Sequence, residues 1–148
     1  MEFALVMPIL FLLVFGILQY GLYFNDSLST RQGVREGARI GVVQTPITGC
    51  GTGQMAQLAC ETKKQIDALT GVEYVKVSAA SWAKGSPLVV CAYVKSDGGV
   101  GLLPMPDGGW IFSKTQMSIE KDTPVPSPLS AVSTPALPAG APAWPTGC

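Results

Sequence analysis

Four cysteines, Cys50, Cys60, Cys91 and Cys148, are the residues of this 148-residue chain best suited to do chemistry, and the absence of histidine narrows what that chemistry is. None of them forms a C-x-x-C pair, so the close spacing of a zinc site is missing, and haem attachment through C-x-x-C-H is impossible. Without imidazole the chain lacks the commonest general base and transition-metal ligand. Carboxylate, lysine and thiol chemistry stay open in principle, but no two such groups stand at a telling spacing. We therefore expect no enzyme, no metal and no cofactor. An even number of cysteines beyond an export-type apolar segment reads as two disulfides, with free thiols as the alternative. Three pairings are open. The expected one joins Cys50 to Cys60 across GCGTGQMAQLAC, and Cys91 to Cys148, which ties the last residue to the body.

Two sets of charged groups stand out. Glu2 opens an apolar run, Phe3–Phe24, that carries no charge and whose polar atoms belong to Gln19, Tyr20 and Tyr23. At the end of such a helix a carboxylate is either solvated at a favourable N-terminus or, if the helices bundle away from water, paired with a cation. The amine of a neighbouring copy is the simplest such cation. Arg31, Arg35 and Arg39 recur at i+4 and read either as a solvated helix face or as positive charge beside a membrane span. They form the chain's one basic cluster and formal charge balances at zero, so the electrostatic footprint of a nucleic-acid partner is lacking.

These groups need a scaffold. The twenty-two residues Phe3–Phe24 make about 33 Å of helix, enough to cross a hydrocarbon core of about 30 Å. The run lacks the basic n-region and small-residue cleavage site of a secretory signal, so it is expected to stay in the functional protein, or a leader has already been lost. Helix is expected to continue to about Val43, halted by Thr45-Pro46, with Pro8 kinking or loosening it locally. Gly33, Gly37 and Gly41 form a stripe nearly opposite the arginines. Three glycines on one face suggest close approach of another backbone; the alternative is a frayed stretch.

A second, amphipathic helix is predicted over Gln54–Leu69, with Met55, Leu58, Ala59, Thr62, Ile66 and Leu69 on one face and Gly71 ending it. Strands are predicted at Glu73–Ala79, Leu88–Lys95 and Trp110–Glu120, with a long exposed Gly/Pro-rich loop before the last. The class is α+β: a long N-terminal hydrophobic helix, a short helix and a small antiparallel sheet of about three strands. Seven of the twelve prolines fall in 124–148, which predicts an extended Pro-rich tail. The organisation is thus 1–43 as membrane or filament-core helix, 44–122 as a small exterior domain, and 123–148 as a tethered tail. Ser127, Ser130, Ser133 and Thr134 are candidate O-glycan sites, whereas the Asn25-Asp26-Ser27 sequon lies in helix beside the membrane and is set aside.

The stretch EFALVMPILFLLVFGILQYG, followed by REGAR at 35–39, resembles the N-terminal module of the TadE-like pilins, pseudopilin subunits of the tight-adherence (Tad, type IVc) pilus system. The resemblance maps onto Glu2, Phe3, Ala4, Leu5, Val6, Pro8, Phe15, Gly16, Ile17, Arg35, Glu36, Ala38 and Arg39, within roughly the first 43 residues. Family members keep a few residues before the glutamate, whereas Glu2 here directly follows Met1. The resemblance implies cleavage of a precursor by a prepilin peptidase and assembly by pilus machinery. It implies storage in the inner membrane, then a place in an extracellular filament of identical subunits.

The expectation is a structural subunit that polymerises through its apolar helix. Glu2, Phe3, Pro8, the glycine stripe, Arg35 and Arg39 are its candidate assembly residues. A low-copy minor pilin that starts or tips the fibre is one alternative; a single-pass anchored exterior binding or assembly protein is another.

Overall fold

The computed structural model describes residues 2–44, 50, 53–69, 71–98, 101, 103–121 and 136–148, with backbone only at Glu2 and Ala4. Helix α1 (Glu2–Val43) runs unbroken through 42 residues, about 63 Å at 1.5 Å per residue. Helical structure continues through Pro8, whose missing N–H removes one bond of the ladder. The helix stops where Gln44 turns left-handed (φ 56°) and its N–H donates to the Gly41 carbonyl at 3.3 Å. Thr45-Pro46, the expected stop, lie outside the described residues.

Helix α2 (Gln54–Ile66) buries Met55, Leu58, Ala59, Thr62 and Ile66, the expected face less its last member. It ends one turn early, at Asp67 in the left-handed region, so Leu69 leaves the apolar face and stands 69% exposed. Gly71 is not the terminator. It begins β1 (Gly71–Ala79), where a side chain would collide with Val94.

Strands β1, β2 (Pro87–Ser96) and β3 (Trp110–Ser118) form an antiparallel sheet in sequence order. Each strand bound shifts from its expected place by no more than two residues. Val77 pairs with Val90, Val75 with Ala92, and Val94 with Ile111, so the alternating apolar set of β2 lies on one face. Leu88, Val90, Ala92 and Val94 are fully buried there, under Val34, Ala38 and Val42 of α1 and Leu58 and Ile66 of α2. The second half of α1 is therefore a core element of the head. Ile119, just past β3, is buried as expected.

The outer sheet face carries Tyr74, Tyr93, Trp110 and Phe112, and the chain end lies across it. Over 136–148 there is no helix or strand, only turns such as that closed by Cys148 N–H on the Pro145 carbonyl. Trp144 packs on Tyr93 with ring centroids 5.0 Å apart, and Lys76 Nζ lies 5.7 Å from the Trp144 ring. The tail positions 122–135, with Ser127, Ser130, Ser133 and Thr134, lie outside the described residues.

Candidate assembly and membrane-facing surface

From Phe3 to Leu18, α1 leaves the head and presents large apolar side chains all round: Phe3 is 74% exposed, Leu10 55% and Ile17 73%. Among the described residues, none covers them. α1 is long and apolar enough to cross a membrane. The surface follows directly from the sequence: in 3–18 no residue is charged, so no helical face can be a polar one. The Glu2 side chain is not among the described parts of the structure.

The polarity of the helix changes at Gln19. Both polar ends of its fully buried amide are used by one residue 84 positions away: Nε2 donates to the Leu103 carbonyl at 2.6 Å, and Leu103 N–H donates to Oε1 at 2.9 Å. Tyr20 adds a hydroxyl donor to the Pro104 carbonyl at 3.1 Å. The loop before β3 is thus docked against the helix rather than free in solvent, with Leu103 in contact distance of Gly16. The correction has a plain cause: a buried amide needs two partners, and an irregular loop has unpaired backbone to supply them.

Two turns further on, Asp26 is fully buried. Its Oδ2 accepts from Ser96 Oγ at 2.8 Å, and its Oδ1 from Leu69 N–H at 3.0 Å. One carboxylate thereby joins α1 to the end of β2 and to the segment after α2. Thr30 Oγ1, one turn on, donates to the Asp26 carbonyl at 2.6 Å. Sequence reasoning passed over Gln19 and Asp26 as positioning groups. The available signal was their place on one helical line with Gly16, Tyr23 and Thr30.

The glycine stripe does meet another backbone, and it belongs to the same chain. A Cβ at Gly33 would lie 2.6 Å from Ile66 Cα, one at Gly37 would strike Thr62, and one at Gly41 would lie 2.6 Å from Leu88 Cδ2. Helix α2 and the sheet thus occupy this face within the subunit. Arg31, Arg35 and Arg39 lie on the opposite, exposed face, where Arg39 makes a 3.9 Å contact with Glu36. Such a pair in water contributes little.

Both disulfides have the expected pairing. Cys50–Cys60 has Cα atoms 5.8 Å apart and fastens the chain before α2 to that helix. Cys91–Cys148 has Cα atoms 6.1 Å apart and clamps the tail to the middle of β2. Beside it, burial raises the Tyr93 phenol above its ordinary pKa, and its hydroxyl donates to the Ala143 carbonyl at 3.3 Å. Among the described residues, no three His, Cys, Asp or Glu side chains come together as a metal site.

Residues 1–39 match the protein family described as TadE-like protein. No curated protein and no solved structure matches the chain. The matched stretch ends inside α1, so it covers the whole apolar rod and the first part of the helix that enters the head, and stops short of α2, the sheet and both disulfides.

Proposed function

Starting from a TadE-like N-terminal module, we propose that this chain is a structural, non-catalytic subunit of a Tad-type pilus, held in the inner membrane by α1 and then packed through it into an extracellular filament of identical copies. One observation carries the reading: a rod of exposed apolar side chains, Phe3–Leu18, projects from a head that is otherwise closed by a core and two disulfides. A surface of this kind demands a solvent other than water. Lipid supplies it before assembly, and neighbouring rods supply it afterwards. Burying on the order of 1,000 Å² of rod at about 25 cal/mol/Å² gives roughly 25 kcal/mol before ordering costs. Identical chains related by a non-closing rotation then form a helical polymer.

On this reading Phe3 and its neighbours supply the contact area, while Pro8 frees one carbonyl in the rod for a partner group. Glu2 sets axial register by pairing with a cation of the next copy. Arg35 and Arg39 face outward beside the rod, available to an adjacent head. Gly33, Gly37 and Gly41 act indirectly, by seating the head on the helix. A prepilin peptidase and the pilus assembly machinery are the expected handling partners.

The test is to shear cells and image the released fraction. Filaments that contain the chain are the expected result, and Glu2→Ala should abolish them. Recovery solely as a detergent-solubilised monomer would sink the polymer and favour an anchored exterior protein.

A further inference from the structure

The uncovered part of the apolar run, Phe3–Leu18, is shorter than a hydrocarbon core, and the run continues beyond it with Phe24 62% exposed. From Phe3 to Gln19 the helix rises about 24 Å, against a hydrocarbon core of about 30 Å, and any tilt widens the gap. The missing depth, about 6 Å, corresponds to Gln19–Tyr23. This is the level at which Leu103, Pro104 and Met105 lie against the helix, fixed there by Gln19 and Tyr20.

Independent of that length, four of the turn's six backbone polar groups are taken by protein. Non-helical chain is tolerated at membrane depth when its polar groups are satisfied by protein. Leu103 has its N–H and C=O both taken by the Gln19 amide, and the Pro104 carbonyl is taken by the Tyr20 hydroxyl. The Met105 carbonyl accepts from Gly108 N–H at 3.3 Å. Pro104 and Pro106 have no N–H to satisfy. The exposed side chains at the tip are Pro104 and Pro106, both uncharged. The first charged residue along the chain is Asp107, which lines an open groove with Tyr23, Ser27 and Trp110. Tyrosine and tryptophan at that height match the aromatic level of a membrane interface.

We propose that the Leu103–Pro106 turn is a second, loop-borne membrane contact, immersed in the outer edge of the hydrocarbon beside α1, with Gln19 as the internal partner that makes its irregular backbone compatible with lipid. The inference rests on the reading of α1 as a membrane-stored rod. The turn flanks α1 over the last part of that span, and it sets the depth at which the head rides on the bilayer. Gln19 is then an adaptor rather than a flaw in an apolar run.

The test uses the full chain reconstituted in phosphatidylcholine vesicles, with both disulfides verified by non-reducing peptide mapping. Pro104→Trp places a reporter at an exposed tip position, and Leu103→Trp repeats the measurement should the first variant fail to fold. Emission is compared with that of the wild type in plain vesicles and in vesicles brominated high in the acyl chains. The expected result is a blue-shifted added signal that is lost in brominated lipid. Flotation with the vesicles without loss of the added signal overturns the loop contact and leaves the rod reading intact. Failure to float with vesicles at all refutes the membrane-stored rod, and the loop contact falls with it.

Discussion

The two halves of α1 are one helix with opposite relations to the subunit. Between Phe3 and Leu18 the side chains are large, apolar and bare. Between Asp26 and Val42 the inward side chains are small and buried, while the outward ones include Arg31, Arg35, Glu36 and Arg39. The contrast shows where each half finds its complement. The head-side half meets α2 and the sheet within its own chain, so it needs short side chains that let backbones approach. On the proposed function the rod-side half meets lipid or other copies, which calls for area and no preferred face. A single continuous helix couples the two, and rotation of a head in an assembly is transmitted directly to its rod.

The sharpest way to separate the halves is to open the head. Cys148→Ser removes a 57-residue closure worth about 4 kcal/mol in the chain-entropy account. It should lower the chemical-denaturation midpoint of the head while α1 still inserts into vesicles. A Trp144 signal lost at the native midpoint would show that the tail needs no tether. Leu12→Arg attacks the other half. It costs about 3 kcal/mol for a cation at mid-span, so insertion and filament yield should fall while the denaturation midpoint of the head stays put. A matching drop in head stability would erase the distinction between the halves.

Smaller perturbations compare like with like. Gly33→Ala drives a methyl into the Ile66 backbone and should destabilise by about 2 kcal/mol despite the better helix propensity of alanine. Gly21→Ala meets nothing within 4 Å and should be neutral or slightly stabilising in detergent melts. Equal effects at both sites would contradict the packing described for the stripe. Smaller than the Gly33 effect, Asp26→Asn keeps one acceptor for Ser96 or Leu69 but not both, a loss of about 1 kcal/mol. Hydrogen exchange at the Leu69 amide should quicken, and an unchanged rate would remove Asp26 as the joint between the halves.

Much of this architecture was legible residue by residue. The apolar run needed counting alone, and the β2 alternation of Leu88, Val90, Ala92 and Val94 is a period of two that admits one buried face. Of the three pairings open to four cysteines, the favoured one, Cys50–Cys60 with Cys91–Cys148, is the one the structure has. Leu69 was misplaced because its apolarity matches the helix period, while the helix end is decided by Asp67 turning left-handed and by the Leu69 N–H engaging Asp26. The docked loop was missed for a related reason: glycine and proline mark irregular backbone but do not say what receives it.

What the sequence by itself determined was everything carried by local pattern: the rod, the two helices, the sheet and the absence of a histidine-based site. Tertiary structure decided which neighbours those patterns meet. The glycine stripe announces a close approach, and folding made α2 the approaching partner. Gln19 announces an unsatisfied amide, and folding brought Leu103 to it across 84 residues. Asp26 announces a charge near a membrane, and folding buried it against Ser96, 70 residues away. Periodicity is a property of a few consecutive turns, whereas a buried polar group is satisfied by whatever chain the global packing brings within about 3 Å of it.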